Sequence, residues 1–265
     1  MSEREASQTF FILLEDLWNY SKSEYLEGLV SLSEQQHSRL LEAVDQLKQG
    51  TPVQHITGKA FFFESLFSIT KDTLVPRPET EELVAWILEN HDSETVRGLD
   101  IGTGSGCIPI SLVARRPKWN LTGMDLSAKA LEVASKNAGN LNQSVQWQRA
   151  DILTAKPEPE SFDFIVSNPP YIPTSEVDTL DKNVLDYDPR MALEVPDNDP
   201  LLFYREIEKY ARVALVPGGA LYFEIHENYG PETLALLQNS HWKHCELRKD
   251  LSGKNRMIYA QKNVL

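Results

Sequence analysis

The sequence predicts an α/β protein: a doubly wound, mostly parallel sheet preceded by a small helical domain. Three observations carry this. Beyond Val96, short apolar runs alternate with helical stretches, the pattern that places helices on both faces of a sheet. Residues 9–49 instead carry their apolar side chains at helical spacing. Three alternating glycines, Gly102, Gly104 and Gly106, sit where the first strand of the alternation gives way to its first helix.

In chain order, Phe10, Phe11, Leu13, Leu14, Leu17 and Trp18 form one helical stripe, Tyr25, Leu26, Leu29 and Val30 a second, and Leu40, Leu41, Val44 and Leu47 a third before Gly50. Ser33 and Gln36 have capping-box spacing for the third helix. From Lys59 to Val75 the texture turns aromatic and β-branched. Phe61-Phe62-Phe63 and Leu66-Phe67-Ser68-Ile69 around a Glu64-Ser65 turn predict a hairpin that serves as a linker. Pro76 and Pro78 stop any strand. Pro78-Glu79-Thr80-Glu81-Glu82 then opens a helix through Asn90, with proline early and acids at the positive end of the helix dipole. Predicted strands follow at 96–101, 121–125, 145–149, 163–167, 220–225, 242–248 and 256–261, with helices at about 106–115, 127–139, 200–215 and 231–239. No helix separates the last two strands, so the final strand is predicted to be antiparallel. The expected division is 1–58 helical, 59–75 hairpin linker and 76–265 α/β domain.

Composition narrows the function classes. A chain of 265 residues with 41% apolar and 25% charged residues is a globular protein of one full domain and a small one. The net charge of −13, from 26 Lys+Arg against 39 Asp+Glu, repels a phosphate backbone unless basic residues cluster. The short basic run Arg115-Arg116-Pro117-Lys118 reads as a solvated helix end, so no direct nucleic-acid contact is expected. Cys107 and Cys245 lack the number for a disulfide framework and the spacing for a metal site, and are expected as buried, reduced thiols. Phe10–Leu14 is far shorter than the ~20 residues that span a bilayer. No leader pattern accompanies it, so a cytoplasmic location without membrane contact is expected, and a monomer.

Two segments carry chemistry. In Gly98-Leu99-Asp100-Ile101-Gly102-Thr103-Gly104-Ser105-Gly106-Cys107 the glycines let the backbone pass close to a ligand, and the following helix offers unpaired N–H groups. Gly102, Thr103, Gly104, Ser105 and Gly106 are therefore candidate cofactor-binding residues. Their G-x-G-x-G spacing differs from the G-x-G-x-x-G of nicotinamide dinucleotide sites, whose third glycine would fall on Cys107. Asp125, closing the second strand, is placed either to accept from both hydroxyls of a ribose or to cap the helix that begins near Ser127. Asp151, followed by Ile152, is a candidate for an adenine amino group.

The second segment is Asn168-Pro169-Pro170-Tyr171, directly after the fourth strand. Two prolines remove two N–H donors and fix two φ angles, leaving a stiff loop that presents carbonyls. The Asn168 side-chain oxygen and the Pro169 carbonyl can each accept one N–H of a flat amino group, over which Tyr171 can pack. Asn168, Pro169, Pro170 and Tyr171 are the candidate catalytic residues.

These two motifs at this separation resemble S-adenosylmethionine-dependent methyltransferases that alkylate planar amino nitrogens. The resemblance narrows on Pro52–Gly58, Leu74–Glu81, the glycine loop, Ser167–Ile172, Tyr187–Leu193, Pro217-Gly218-Gly219 and Asp250–Gly253, which follow the pattern of the release factor glutamine methyltransferase family. It implies a seven-stranded class I methyltransferase sheet of order 3-2-1-4-5-7-6 and methylation of the glutamine in the Gly-Gly-Gln motif of bacterial class-1 peptide-chain release factors. S-adenosylmethionine would be held by Gly102 to Gly106 and Asp125, completed by Asp151, Ile152 and Asn168. Asn168 to Tyr171 would hold the glutamine, and the N-terminal helices would dock the protein partner. It also suggests that Arg77-Pro78-Glu79-Thr80 lies over the cofactor, where the residues alone allow a simple helix start.

The chain departs from the family pattern after the fifth strand, where Glu-Ile-Gly and a glutamine are usual and Glu224-Ile225-His226-Glu227-Asn228-Tyr229 stands instead. Ile152 occupies a position where some relatives carry tryptophan. His226 is read as structural, because transfer from a sulfonium needs positioning more than a strong base. Residues 172–199, with Glu176, Asp178, Asp181, Asp186, Asp188 and Glu194, form a long irregular stretch that suits a lid or a partner contact, or else a solvated loop. A ribosomal-protein glutamine methyltransferase would carry the same tetrapeptide. A DNA-adenine or RNA-guanine amino methyltransferase shares its logic, but the charge argues against it.

Overall fold

The computed structural model describes residues 2–177 and 187–264. The N-terminal stripes become α1 (Glu3–Trp18), α2 (Lys22–Leu26) and α3 (Glu34–Lys48), followed by a short α4 (Val53–Thr57). α1 starts well before its first apolar residue because Ser2 and Glu5 close a capping box, and Ser33 and Gln36 close the one predicted for α3. Leu13, Ala43 and Ile56 form the small core of these helices. The second stripe departs from expectation: α2 is too short to bury it, and Leu26 and Leu29 remain 68% and 69% exposed.

β1 (Lys59–Phe62) and β2 (Ser65–Ser68) form the predicted hairpin, but Phe62 pairs with Ser65, so the turn is Phe63-Glu64 and not Glu64-Ser65. Both turn residues have positive φ, 44° and 68°, the backbone that matches a two-residue loop to the right-handed twist of its strands. Phe62 and Phe67 are fully buried in one cluster with Leu83, Trp86 and Ile87 of α5 (Pro78–Asn90). The hairpin therefore belongs to the packed interior of the α/β part.

That part runs β3 (Arg97–Ile101), α6 (Cys107–Arg115), β4 (Asn120–Asp125), α7 (Ala128–Asn140), β5 (Gln146–Arg149) and β6 (Phe162–Ser167). A small excursion follows, β7 (Ile172–Pro173), α8 (Thr174–Val177) and β8 (Glu194–Val195), before α9 (Leu202–Ala214), β9 (Leu215–Glu224), α10 (Gly230–Leu237), β10 (Trp242–Lys249) and β11 (Asn255–Lys262). Among the described residues seven strands make one sheet in the order β10-β11-β9-β6-β3-β4-β5. Counted along the chain within that sheet, this is 6-7-5-4-1-2-3, the same order read from the other edge. β11 is antiparallel to both neighbours, as the missing helix implied.

Side chains of successive strand residues alternate between two cores. Phe164, Val166 and Tyr222 meet α5, α6 and the hairpin, whereas Leu99, Ile165, Leu221 and Phe223 meet α9 and α10. β9 starts five residues earlier than predicted, because Pro217-Gly218-Gly219 stays in the strand. The pairing shifts register opposite Phe162 and Phe164, and the Gly219 Cα lies so close to the Asp163 carbonyl that a Cβ would be 3.0 Å from it. Cys245 is only half-buried, while Cys107 is buried as expected. Arg115 ends α6 at the surface and meets Glu64.

A Cβ on Gly98, in the central strand β3, would come within 2.3 Å of the Phe164 ring and 2.7 Å of Leu121, whereas one on Gly139 in α7 would meet nothing within 4 Å. Urea unfolding should show Gly98→Ala destabilised by about 1–3 kcal/mol through overpacking and Gly139→Ala stabilised by about 0.5–1 kcal/mol through helix entropy.

Candidate active site

The site begins where β3, β4 and β6 end side by side. The Gly102 and Thr103 N–H groups both donate to the Met124 carbonyl, at 2.8 and 3.0 Å, which folds the loop back over β4. Gly102, Gly104 and Gly106 all have positive φ, 76°, 55° and 78°, backbone that glycine adopts without penalty. The Asp125 carboxylate spans the gap: one oxygen accepts from the Gly104 N–H at 2.9 Å and the other from the Ser127 N–H at 2.8 Å. Ser127 itself caps α7, accepting from the Ala130 N–H. Asp125 is therefore a loop clamp rather than the helix cap, with lone pairs on both oxygens left for a ligand.

A cavity of about 240 Å³ opens at these strand ends, lined by Gly102, Gly104, Asp125, Asp151, Ile152, Asn168, Pro169 and Pro170 among others. The structure thus brings together residues from both predicted segments. Thr103, Ser105, Gly106 and Tyr171 are not in the lining. Thr103 and Ser105 are buried under the loop, and a Cβ on Gly106 would press on Trp147, Ala134 and Ile110 at 2.9–3.0 Å, so that glycine serves close packing of the helix start. A Cβ on Gly104, by contrast, would meet nothing within 4 Å. Tyr171 stands away from the cavity, edge-on to His226 with ring centroids 5.8 Å apart.

Of the segment expected over the cofactor, none of Arg77, Pro78, Glu79 and Thr80 lines the cavity, whereas the preceding Asp72, Thr73 and Leu74 do. Arg77 turns to Asp188 at 2.6 Å, and Thr80 is buried against Glu224 at 2.6 Å. Of 172–199, Pro189, Met191 and Ala192 reach the cavity wall; Asp178, Asp181 and Asp186 lie outside the described residues. Residues 172–199 were expected as a lid, a partner contact or a solvated loop without singling out Pro189–Ala192, and the wall of Asp72–Leu74 was not expected. The signals for these walls were the positions of Pro189–Ala192 and of Leu74 in segments that fitted the family pattern.

Burial shapes the charges. Asp100, on β3 just before the loop, is pushed up to about 7 by desolvation, against the pull of the Thr103 hydroxyl. Asp125 is raised by burial, offset in part by the backbone N–H groups it accepts from. Glu224 is likewise pushed up to about 7 by burial, against the pull of the Thr80 hydroxyl and Arg256. Cys107 is pushed up to about 12 by burial, which leaves it an unreactive thiol. His226 is held down by burial, and its Nδ1 accepts from the Asn228 N–H at 3.2 Å, a cap on the turn Glu227–Tyr229. A structural role accounts for it.

Comparison with known proteins settles the family. A profile described as the PrmC N-terminal domain matches residues 2–58, and one described as the methyltransferase small domain matches residues 80–185. The release factor glutamine methyltransferase of Flavobacterium psychrophilum is 41% identical over 261 residues, 97% of this chain and 92% of that one. The chain belongs to the release factor glutamine methyltransferase family. The family member of Bacteroides thetaiotaomicron is 40% identical over 90% of this chain and 86% of its own. A methyltransferase structure from Pyrococcus furiosus superposes with a TM-score of 0.54 at 15% identity, covering 75% of this chain and 89% of the other, a likeness of fold. Among the described residues no helix is long and apolar enough to cross a membrane.

The S-adenosylmethionine expected in this family fits what the chain offers: an open space above Gly104, acceptor lone pairs on Asp125 and a wall of apolar side chains. Asp100 adds a pH signature to the ligand-free protein. Its folded value lies above the ordinary 3.8, so its burial costs nothing below that pH and destabilises progressively as pH rises to about 7. Calorimetry should find that Asp100→Asn raises the melting temperature more at pH 8 than at pH 5; an equal effect at both would show that Asp100 carries no buried charge.

Proposed function

We propose that this chain transfers a methyl group from S-adenosylmethionine to the side-chain amide nitrogen of the glutamine in the Gly-Gly-Gln motif of class-1 peptide-chain release factors. One observation carries the reading: the glycine loop with Asp125 and the Asn168-Pro169-Pro170 edge face a single cavity. The relatives named release factor glutamine methyltransferase, which match 97% and 90% of the chain, support it.

The cofactor, when bound, supplies a methyl group on a sulfonium. Gly102 and Gly104 would let it lie against the backbone, Asp125 would accept from its ribose hydroxyls, and Asp151 and Ile152 would flank its base. An amide nitrogen is a poor nucleophile because its lone pair is delocalised into the carbonyl. The work left to the protein is therefore to orient that nitrogen and to stabilise the positive charge that moves onto it before a proton leaves. The Asn168 side-chain oxygen and the Pro169 carbonyl do both by accepting the two N–H groups. Pro169 and Pro170 keep the loop stiff, and Tyr171 supports it from behind through His226. Gly106, Thr103 and Ser105 contribute by shaping the loop. The helices of residues 1–58 would dock the release factor, with 59–75 joining them to the catalytic domain 76–265. Acting as a cytoplasmic monomer without direct nucleic-acid contact suits the charge of −13.

The test incubates the enzyme and labelled S-adenosylmethionine with release factors, ribosomal proteins, RNA and DNA. Label should appear on the Gly-Gly-Gln glutamine alone and vanish when that glutamine is replaced; label on a ribosomal protein or nucleic acid at a comparable rate would overturn the assignment. Asn168→Ala should lower single-turnover transfer by roughly 10²–10³ while S-adenosylmethionine affinity by calorimetry falls much less, and near-normal transfer would sink the acceptor clamp.

A further inference from the structure

We propose that Thr80 and Glu224 act as a positioning relay that fixes which end of the Asn168 amide faces the acceptor nitrogen. The relay rests on the role given above to Asn168.

Thr80, near the start of α5, and Glu224, the last residue of β9, are 3% and 1% exposed. The Thr80 hydroxyl lies 2.6 Å from a Glu224 carboxylate oxygen, and the Asn168 Nδ2 lies 3.5 Å from the same hydroxyl. A hydroxyl has one hydrogen, and an ionised carboxylate only accepts. Thr80 must therefore donate to Glu224, which leaves lone pairs alone on the side facing Asn168. Only the amide NH₂ can satisfy them, and the Glu224 carboxylate draws on the same Asn168 NH₂ directly, so both acceptors select one orientation of the amide. The Asn168 oxygen is then turned to the other side, available to an incoming N–H. With the amide reversed, oxygen would face oxygen at Thr80, and the Asn168 NH₂ would confront the two N–H donors of the substrate. Arg256 on β11 draws Glu224 towards its charged form, while Glu79 on α5 opposes it; above pH of about 7 the carboxylate is ionised and the hydroxyl is committed. The Tyr204 hydroxyl, donating to the Glu224 backbone carbonyl at 3.3 Å, anchors the same strand end from the opposite helix layer.

Two substitutions separate orientation from packing. Thr80→Val keeps the branched shape and removes the hydroxyl; Thr80→Ser keeps the hydroxyl and removes the methyl group. At pH 8.5, with a release factor as substrate, Thr80→Val should lower single-turnover transfer by at least about tenfold, in line with the cost of misorienting a reacting group. Its affinity for S-adenosylmethionine and its KM for the release factor should stay within about twofold, while Thr80→Ser should transfer within about threefold of wild type. The double variant Thr80→Val with Asn168→Ala should be no slower than Asn168→Ala alone, because the relay acts only through that residue. Wild-type transfer by Thr80→Val, a loss in Thr80→Ser as large as in Thr80→Val, or losses that multiply in the double variant would each overturn the relay while leaving the acceptor reading intact. Near-normal transfer by Asn168→Ala would remove both.

Discussion

Everything at the candidate site depends on two parallel strand ends being held level. The Ser167 hydroxyl, fully buried at the end of β6, donates to the Ile101 carbonyl at the end of β3 across 2.6 Å. From that joint the chain diverges into two loops of opposite character. One, after β3, has glycines at positive φ and presents N–H groups at a helix start; the other, after β6, has two prolines and presents carbonyls. Neighbouring strands whose connections leave in different directions create a crevice at their carboxyl ends. A cationic cofactor and a planar amide acceptor can share it because donors and acceptors come from different loops. A Cβ at Gly102 would approach the Asn168 carbonyl to 4.0 Å, which measures how close the two loops run.

Two buried polar side chains hold the surroundings to that joint. Asn137 of α7, 1% exposed, pairs with both backbone groups of Ser68 in the hairpin and donates to the Ser105 carbonyl in the glycine loop. Asp188 accepts from Arg77 at 2.6 Å and from the Val75 N–H at 3.3 Å, with His55 3.7 Å away. It thereby ties the cavity wall at Pro189–Ala192 to the chain entering α5 and to α4. Removing either partner would leave buried groups unsatisfied, at about 1–3 kcal/mol each. These contacts connect the helical N-terminal segment and the hairpin to the cavity physically, so neither is a passive appendage.

Much of this was legible in the sequence wherever local backbone chemistry dictates the outcome. The change from helical stripes to strand and helix alternation placed the layers, and Gly102, Gly104, Asp125, Asn168, Pro169 and Pro170 could be singled out because each stands at its own strand end, where the structure brings all six to one cavity. The hairpin turn was misplaced by one residue because two non-glycine residues accept positive φ there. β9 was begun late because Pro217-Gly218-Gly219 looks like a turn and is instead absorbed by a register shift. Within the glycine loop Ser105 is buried and Gly106 packs on Trp147, so neither lines the cavity, a difference from Gly102 and Gly104 that the glycine spacing does not show. Asp72–Leu74 and Met191 carry no chemical signature, and their place on the cavity wall is set by tertiary packing. Thr80 and Glu224 are 144 residues apart, and no spacing rule joins them.

The most direct measurement of the shared-cavity claim is a crystal structure of the enzyme with S-adenosylhomocysteine and a peptide containing Gly-Gly-Gln. The expected result has the ribose hydroxyls on Asp125, the chain of the cofactor against Gly102 and Gly104, and the glutamine amide nitrogen within hydrogen-bond distance of the Asn168 side-chain oxygen and the Pro169 carbonyl. A glutamine side chain bound away from Asn168, or a cofactor seated elsewhere than at the ends of β3 and β4, would contradict it.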